Sequence, residues 1–212
     1  MNARTRIKIC GLRTEADVRA AVDAGVDAVG FVFVHSSPRY IDPGAAAELA
    51  CLLPPFVDAV GLFADQKASE ICDMAGEACV QMVQLHGRED RQCVELVRNE
   101  FAVIKGIRFS NQAVQQWGGV NSVDMLLVDG SEGGKGETLD WAALAAQRES
   151  IEPPLMLAGG LTADNVARAI AAVRPYAVDV SSGVESRPGV KDAALIHQFG
   201  AAVRRADQAR CG

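Results

Sequence analysis

The feature that most constrains this chain is a recurring pattern. Eight short, apolar, β-rich runs appear along it, each followed by a longer segment with helical spacing. The runs are RIKICG (6–11), AVGFVFV (28–34), DAVGLFA (58–64), MVQLHG (82–87), VIKGIR (103–108), MLLVDG (125–130), PLMLAGG (154–160) and AVDVSSG (177–183). They are nearly continuous hydrophobic stretches, as parallel strands covered by helices must be, and they lack the strict alternation of a half-wetted antiparallel sheet. Eight units in 212 residues take about 26 residues each, little more than a strand, a helix and two turns require. The pattern predicts an α/β fold, a compact (β/α)8 barrel of fewer than the usual ~250 residues, with residues 1–212 as one domain. An open doubly wound sheet is the alternative, but eight regular units with no break in composition favour closure.

The segments between the runs carry helix punctuation. In TEADVRAAVDAG, Thr14 is placed to cap, with Asp17 at the third helical position, Val18, Ala21 and Val22 as the apolar stripe and Gly25 as the stop. TADNVARAIAAVRP repeats the plan: Thr162 caps, Val166, Ala169, Ile170 and Val173 face inward, and Pro175 follows the end. The last segment places Leu195, Phe199 and Val203 on one side. The fifth helix, near NQAVQQW, is cut short by Gly118 and Gly119.

Charge and cysteine usage narrow the function classes. A formal net charge of −6 argues against nucleic acid or an anionic membrane as partner. No run approaches 18 uninterrupted apolar residues and the N-terminus has no signal-peptide core, so a cytoplasmic protein is expected. The six cysteines form no C-x-x-C pair and no zinc spacing, and they read as mostly buried free thiols. The three histidines make no recognisable metal set, so no metal is expected. A monomer is expected, since the sequence shows no obvious extra apolar surface.

In a (β/α)8 barrel the chemistry sits at the C-terminal ends of the strands. That rule turns the strand ends into candidates. Asp129 closes a purely apolar run and can serve as general acid or base; a loop-capping Asp is the plainer explanation, and its position favours function. Cys10 ends the first strand two residues after Lys8, on the same face, where an ammonium can lower the thiol toward thiolate. Arg39, after Pro38, presents a planar fork suited to a carboxylate, unless it is an ordinary surface arginine. His86 ends the fourth strand and is placed either to line the mouth or to pack; His35 sits in a polar loop and His197 on the outer side of the last helix. Gly159 and Gly160 follow the seventh strand, and Ser182 and Gly183 the eighth, the two loops where such barrels often bind phosphate on backbone N–H groups and a short helix. GGKG (133–136) lies in the longest loop and suits a lid; it is no P-loop, because Glu137 follows Gly136.

Taken in order, KICG at 8–11, GFVF with SSPRY at 30–40, QLHG at 84–87, LLVDG with GGKG at 126–136, LAGGL with the Asn of TADNV at 157–166, and DVSSGVE with PGVKD at 179–192 resemble the phosphoribosylanthranilate isomerase family. The resemblance runs from residue 8 to residue 192. It implies an Amadori rearrangement in tryptophan biosynthesis: a phosphorylated aldosylamine becomes a ketosamine, with no redox step, cofactor or metal. By the family's pattern Asp129 is the general acid, Cys10 the general base and Arg39 the holder of the anthranilate carboxylate. Gly159, Gly160, Ser182 and Gly183 hold the phosphate. The chain departs from the family at Lys135, where Thr is usual, and at Leu139, where Phe is usual. Another phosphate-binding barrel enzyme would call for a catalytic Lys and Glu set, as in indole-glycerol-phosphate synthase, or for His and Asp metal ligands, as in ribulose-phosphate epimerase. A non-catalytic phosphate sensor would keep the glycine loops without needing both Cys10 and Asp129.

Overall fold

The computed structural model describes residues 4–119, 123–130 and 139–211. Among them, eight parallel strands close into a barrel in sequential order: β1 (Arg6–Cys10), β2 (Ala28–Val32), β3 (Asp58–Phe63), β4 (Met82–Leu85), β5 (Ala102–Arg108), β6 (Met125–Asp129), β7 (Leu155–Leu157) and β8 (Ala177–Val180). The closing seam is β1 against β8, with Lys8 opposite Asp179. The covering helices are α1 (Glu15–Asp23), α2 (Pro43–Ala50), α3 (Ala68–Glu77), α4 (Arg91–Arg98), α5 (Asn111–Trp117), α6 (Trp141–Ala146), α7 (Val166–Val173) and α8 (Ala193–Cys211). A two-stranded hairpin, β9 (Glu185–Arg187) with β10 (Val190–Lys191), is inserted between β8 and α8.

The period-2 geometry of each strand sorts its side chains between two apolar compartments. Outward residues such as Ile7, Ile9, Phe31, Phe33 and Phe63 are buried with the helices' inner faces. Fully burying each contributes about 1.5–3 kcal/mol. Inward residues Val60, Ile104, Leu127, Met156 and Ala177 fill the barrel itself. Higher up, the inward positions turn polar, and Lys8, Gln84 and Asp179 are buried there.

The helix signals hold in detail at α1. Thr14 accepts from the Asp17 N–H and the Asp17 side chain accepts from the Thr14 N–H, closing a capping box. At α7 the expected cap is displaced. The helix starts at Val166, and Asn165 reaches back instead, its Oδ1 accepting from Thr162 N–H at 2.8 Å and its Nδ2 donating to Gly160 O at 2.8 Å. Its amide is long enough to brace the preceding glycine turn, which a threonine hydroxyl at 162 does not do. Val166, Ala169, Ile170 and Val173 are buried as expected. In α8 Ile196, Phe199 and Val203 are buried, whereas Leu195 is only half-buried. The cysteines also depart from expectation: Cys51 and Cys79 are exposed, Cys72 and Cys93 half-buried, and only Cys10 of these five is buried. They fall at helix ends and outer faces, where a thiol costs little. No helix among the described residues is long and apolar enough to cross a membrane.

Candidate active site

The strand ends converge on a cavity of about 400 Å³ at the C-terminal mouth of the barrel. Cys10, Arg39, His86 and Asp129 all line it, together with Gln84, Asp179 and Ser181. A larger depression of about 830 Å³ lies on the outside, against α4 and the starts of β5 and β6, and includes none of the strand-end candidates.

Cys10 is fixed by the seam. Its carbonyl accepts from Ser181 Oγ at 3.0 Å, so the thiol's backbone is pinned to the end of β8. Beneath it, Lys8 Nζ donates to Asp179 Oδ1 at 2.8 Å in a buried ion pair. Gly30 on β2 makes the room: a Cβ there would stand 2.8 Å from Cys10 Sγ and 3.1 Å from Lys8 Nζ. The net effect on the thiol is opposite to the expectation from Lys8 alone. Burial pushes Cys10 above the ordinary thiol value, Lys8 draws it back and Asp179 pushes it up again. The sequence shows the ammonium but not the desolvation that outweighs it.

Gly11, with φ of +83°, occupies the left-handed region open to glycine, and a Cβ there would be 2.7 Å from the Arg39 Cδ. The turn is therefore narrow to admit the Arg39 stem across it. The Arg39 head is not an open fork. Its Nε and Nη2 donate to the two oxygens of Glu185, each at 2.8 Å. Lys191 Nζ binds Glu185 Oε1 at 2.8 Å and donates to Ser181 O at 2.9 Å. The hairpin thus latches Arg39 over the end of β8.

Across the mouth, His86 Nδ1 lies 3.1 Å from Gln84 Nε2, and its Nε2 is 3.8 Å from Asp129 Oδ2, too far for a direct hydrogen bond. Burial lowers His86 below the ordinary imidazole value despite the pull of Asp129 and Asp179, so the ring is neutral at neutral pH. Gln84 Oε1 is buried with no hydrogen-bond partner.

The glycine loops stand beside the cavity. Gly159 has φ of +88°, and a Cβ on it would lie 2.7 Å from Asp129 Oδ1 and 2.6 Å from Gly130 N. A Cβ on Gly183 would lie 1.8 Å from Leu161 O, so loops seven and eight touch through backbone. Ser182–Val184 forms one turn of 3₁₀ helix, the short helix that SSGVE suggested. The structure therefore brings Cys10, Arg39, His86 and Asp129 into one cavity, and groups Gly159, Gly160, Ser182 and Gly183 in the two adjoining loops. His35 is exposed and stacks on Tyr40, and His197 is exposed. GGKG and Lys135 lie outside the described residues; Leu139 is buried against Gly130. Sequence reasoning assigned no role to Asp179, Gln84, Glu185 or Lys191. Asp179 was visible as a lone charge inside the apolar run AVDV, whereas Glu185 and Lys191 carried no signal until the hairpin was seen.

Residues 7–202 match the family described as N-(5'-phosphoribosyl)anthranilate isomerase. The chain belongs to this family. It is 46% identical over 209 residues to the N-(5'-phosphoribosyl)anthranilate isomerase of Dechloromonas aromatica, covering 97% of this chain and 99% of the relative. Identity is likewise 46% over 211 residues to that of Methylibium petroleiphilum, with 96% of each covered. The crystal structure of the Thermus thermophilus isomerase superposes with a TM-score of 0.88 at 36% identity, covering 95% of this chain and 99% of that one. A phosphoribosylanthranilate isomerase in complex with reduced 1-(o-carboxyphenylamino)-1-deoxyribulose 5-phosphate gives a TM-score of 0.85 at 37% identity, with the same coverages. This chain is accordingly an isomerase of tryptophan biosynthesis.

Proposed function

We propose that Cys10 and Asp129 carry the Amadori rearrangement of N-(5-phosphoribosyl)anthranilate as general base and general acid. The observation that carries this reading is their placement, from different strands, on the wall of one cavity at the barrel mouth. Asp129 donates its proton to the furanose ring oxygen as the C1–O bond breaks, giving an open-chain iminium. The Cys10 thiolate takes the proton from C2, and the electron pair of that C–H bond moves toward the iminium nitrogen, leaving an enolamine. Its tautomer is the ketosamine, so the step is a net isomerisation in which no electrons leave the substrate. A neutral His86 beside Asp129 adds no competing charge. Buried Gln84 Oε1 offers an acceptor that a substrate hydroxyl can satisfy.

Arg39 supports the carboxylate-holding role, with Glu185 holding two of its N–H groups and fixing the plane of the guanidinium. The phosphate is assigned to the backbone of Gly159, Gly160, Ser182 and Gly183, where two touching loops place glycines without side chains in the way. The chemistry as written needs no cofactor, and no cluster of His, Cys, Asp and Glu suited to a metal occurs among the described residues. The assembly is proposed to be a cytoplasmic monomer. The exposed large apolar side chains among the described residues, Leu52, Phe56, Leu96 and Val190, stand on separate segments apart from the first two. Sedimentation over a concentration series checks the monomer.

The test of the catalytic pair is the fluorescence decay of phosphoribosylanthranilate with purified variants. Cys10→Ala and Asp129→Asn are each expected to lower turnover at least about a hundredfold while substrate still binds. A near-wild-type rate in either removes that residue from its role.

A further inference from the structure

The geometry points to Lys8 as a positioning residue for the Cys10 thiolate, with Asp179 setting how strongly it acts. This rests on the assignment of Cys10 as the base and goes beyond it.

Lys8 and Cys10 are two apart on β1, so both face the barrel interior. The Lys8 side chain is 1% exposed. A buried ammonium is costly unless paired, and one of its donors is taken by Asp179 at 2.8 Å. The head also lies beside the sulfur: a Cβ on Gly30 would stand 2.8 Å from Cys10 Sγ and 3.1 Å from Lys8 Nζ, so the ammonium and the thiol border the same small space against β2. A pair kept only to close the barrel would have no need of a glycine in the neighbouring strand to admit both groups. When Cys10 loses its proton, the new anion has a buried cation beside it.

The other charged groups near Cys10 are arranged more loosely. Lys191, from β10, acts in the same sense as Lys8 but is committed to Glu185 and to Ser181. Arg39 is committed to Glu185. Asp129 and neutral His86 face the same cavity from β6 and the end of β4. Of these cations Lys8 is the one packed beside the thiol at Gly30, and Asp179 is the anion paired with it.

The two members of the pair should therefore move the thiol in opposite directions, which a merely structural ion pair would not do. The experiment is alkylation of the full-length protein by iodoacetamide across a pH series, with the Cys10 peptide followed by mass spectrometry. The exposed Cys51 and Cys79 serve as references in the same samples. Lys8→Met is expected to slow alkylation of Cys10 near neutral pH about tenfold or more, because the thiolate fraction falls. Asp179→Asn is expected to speed it several-fold. Changes of the same sign, or no change in either variant, overturn the proposal. Should Lys8→Met not fold, as judged by circular dichroism, the near-isosteric Asp179→Asn decides alone, and an unchanged or slower rate overturns it. The assay uses no substrate. Its failure leaves the isomerase reading standing, and an active Cys10→Ala variant would remove the catalytic role while leaving this measurement interpretable.

Discussion

The barrel holds two buried lysine–carboxylate pairs, and they are not alike. Lys105, within β5, pairs with Glu89 in the turn after β4, with side chains 3% and 1% exposed. Lys105 donates to Glu89 Oε2 at 2.6 Å, to Gly87 O at 2.8 Å and to Leu85 O at 3.4 Å, while Glu89 also accepts from the N–H groups of Gly87 and Asp65. These hydrogen-bond partners are all backbone or the partner ion, and the ammonium sits 5.7 Å from the Trp117 ring centroid. Lys8 and Asp179 lie inside the barrel, under the cavity, and there the neighbour is the Cys10 thiol, the proposed base. The first pair is held mainly by backbone groups, so it ties a loop to a strand. The second borders the thiol proposed as the base. Burial and pairing are shared; what differs is that only the second pair faces the proposed site.

The comparison is broken most severely by Lys105→Met. Removing one partner strands a buried Glu89, a loss of about 3–5 kcal/mol. Urea denaturation should show it, while the folded fraction keeps its turnover number; a fallen kcat with unchanged stability would contradict the division. Gly30→Ala is the next largest effect and touches only the inner pair. The added methyl crowds Cys10 Sγ, its Cα at 3.0 Å and Lys8 Nζ, costing about 1–3 kcal/mol, and kcat should fall more than KM changes. An alanine variant of full activity would show that the fit at Gly30 does not matter to the thiol. The smallest effect sharpens the contrast at the hairpin. Burial raises the Glu185 carboxyl, but hydrogen bonds from Arg39 and Lys191 outweigh it and hold it below the usual glutamate value of 4.5. Its contribution to stability is therefore complete above that value and is lost as pH falls through the depressed one. Glu185→Gln should flatten only this acid end of the stability profile, and identical acid profiles for the two proteins would show that the latch is not coupled to folding.

The architecture was legible because a parallel barrel writes itself into sequence as long apolar runs at even spacing: seven of the eight strands fall within the runs, and β5 starts one residue earlier, at Ala102. The strand-end rule then placed Cys10, His86, Arg39 and Asp129 around one cavity. What escaped was set by partners far along the chain. Nothing near SSPR announces that Arg39 is held by a carboxylate 146 residues later. The direction of the Cys10 shift depends on how completely the thiol is desolvated, which Lys8 at two residues' distance does not reveal. Thr162 read as the cap of α7, yet the helix starts after Asn165, whose side chain braces Gly160. In each case local chemistry was read correctly and tertiary context decided otherwise.

The seam between β1 and β8 has a consequence for the birth of the molecule. In order of synthesis Cys10 and Lys8 precede Ser181 and Asp179, which complete their surroundings, by 171 residues. Until then the thiol belongs to an unfinished sheet edge with no counter-charge in place. A chain released before residue 179 therefore carries the thiol without Asp179 and Ser181, the groups that hold Lys8 and the Cys10 backbone at the seam.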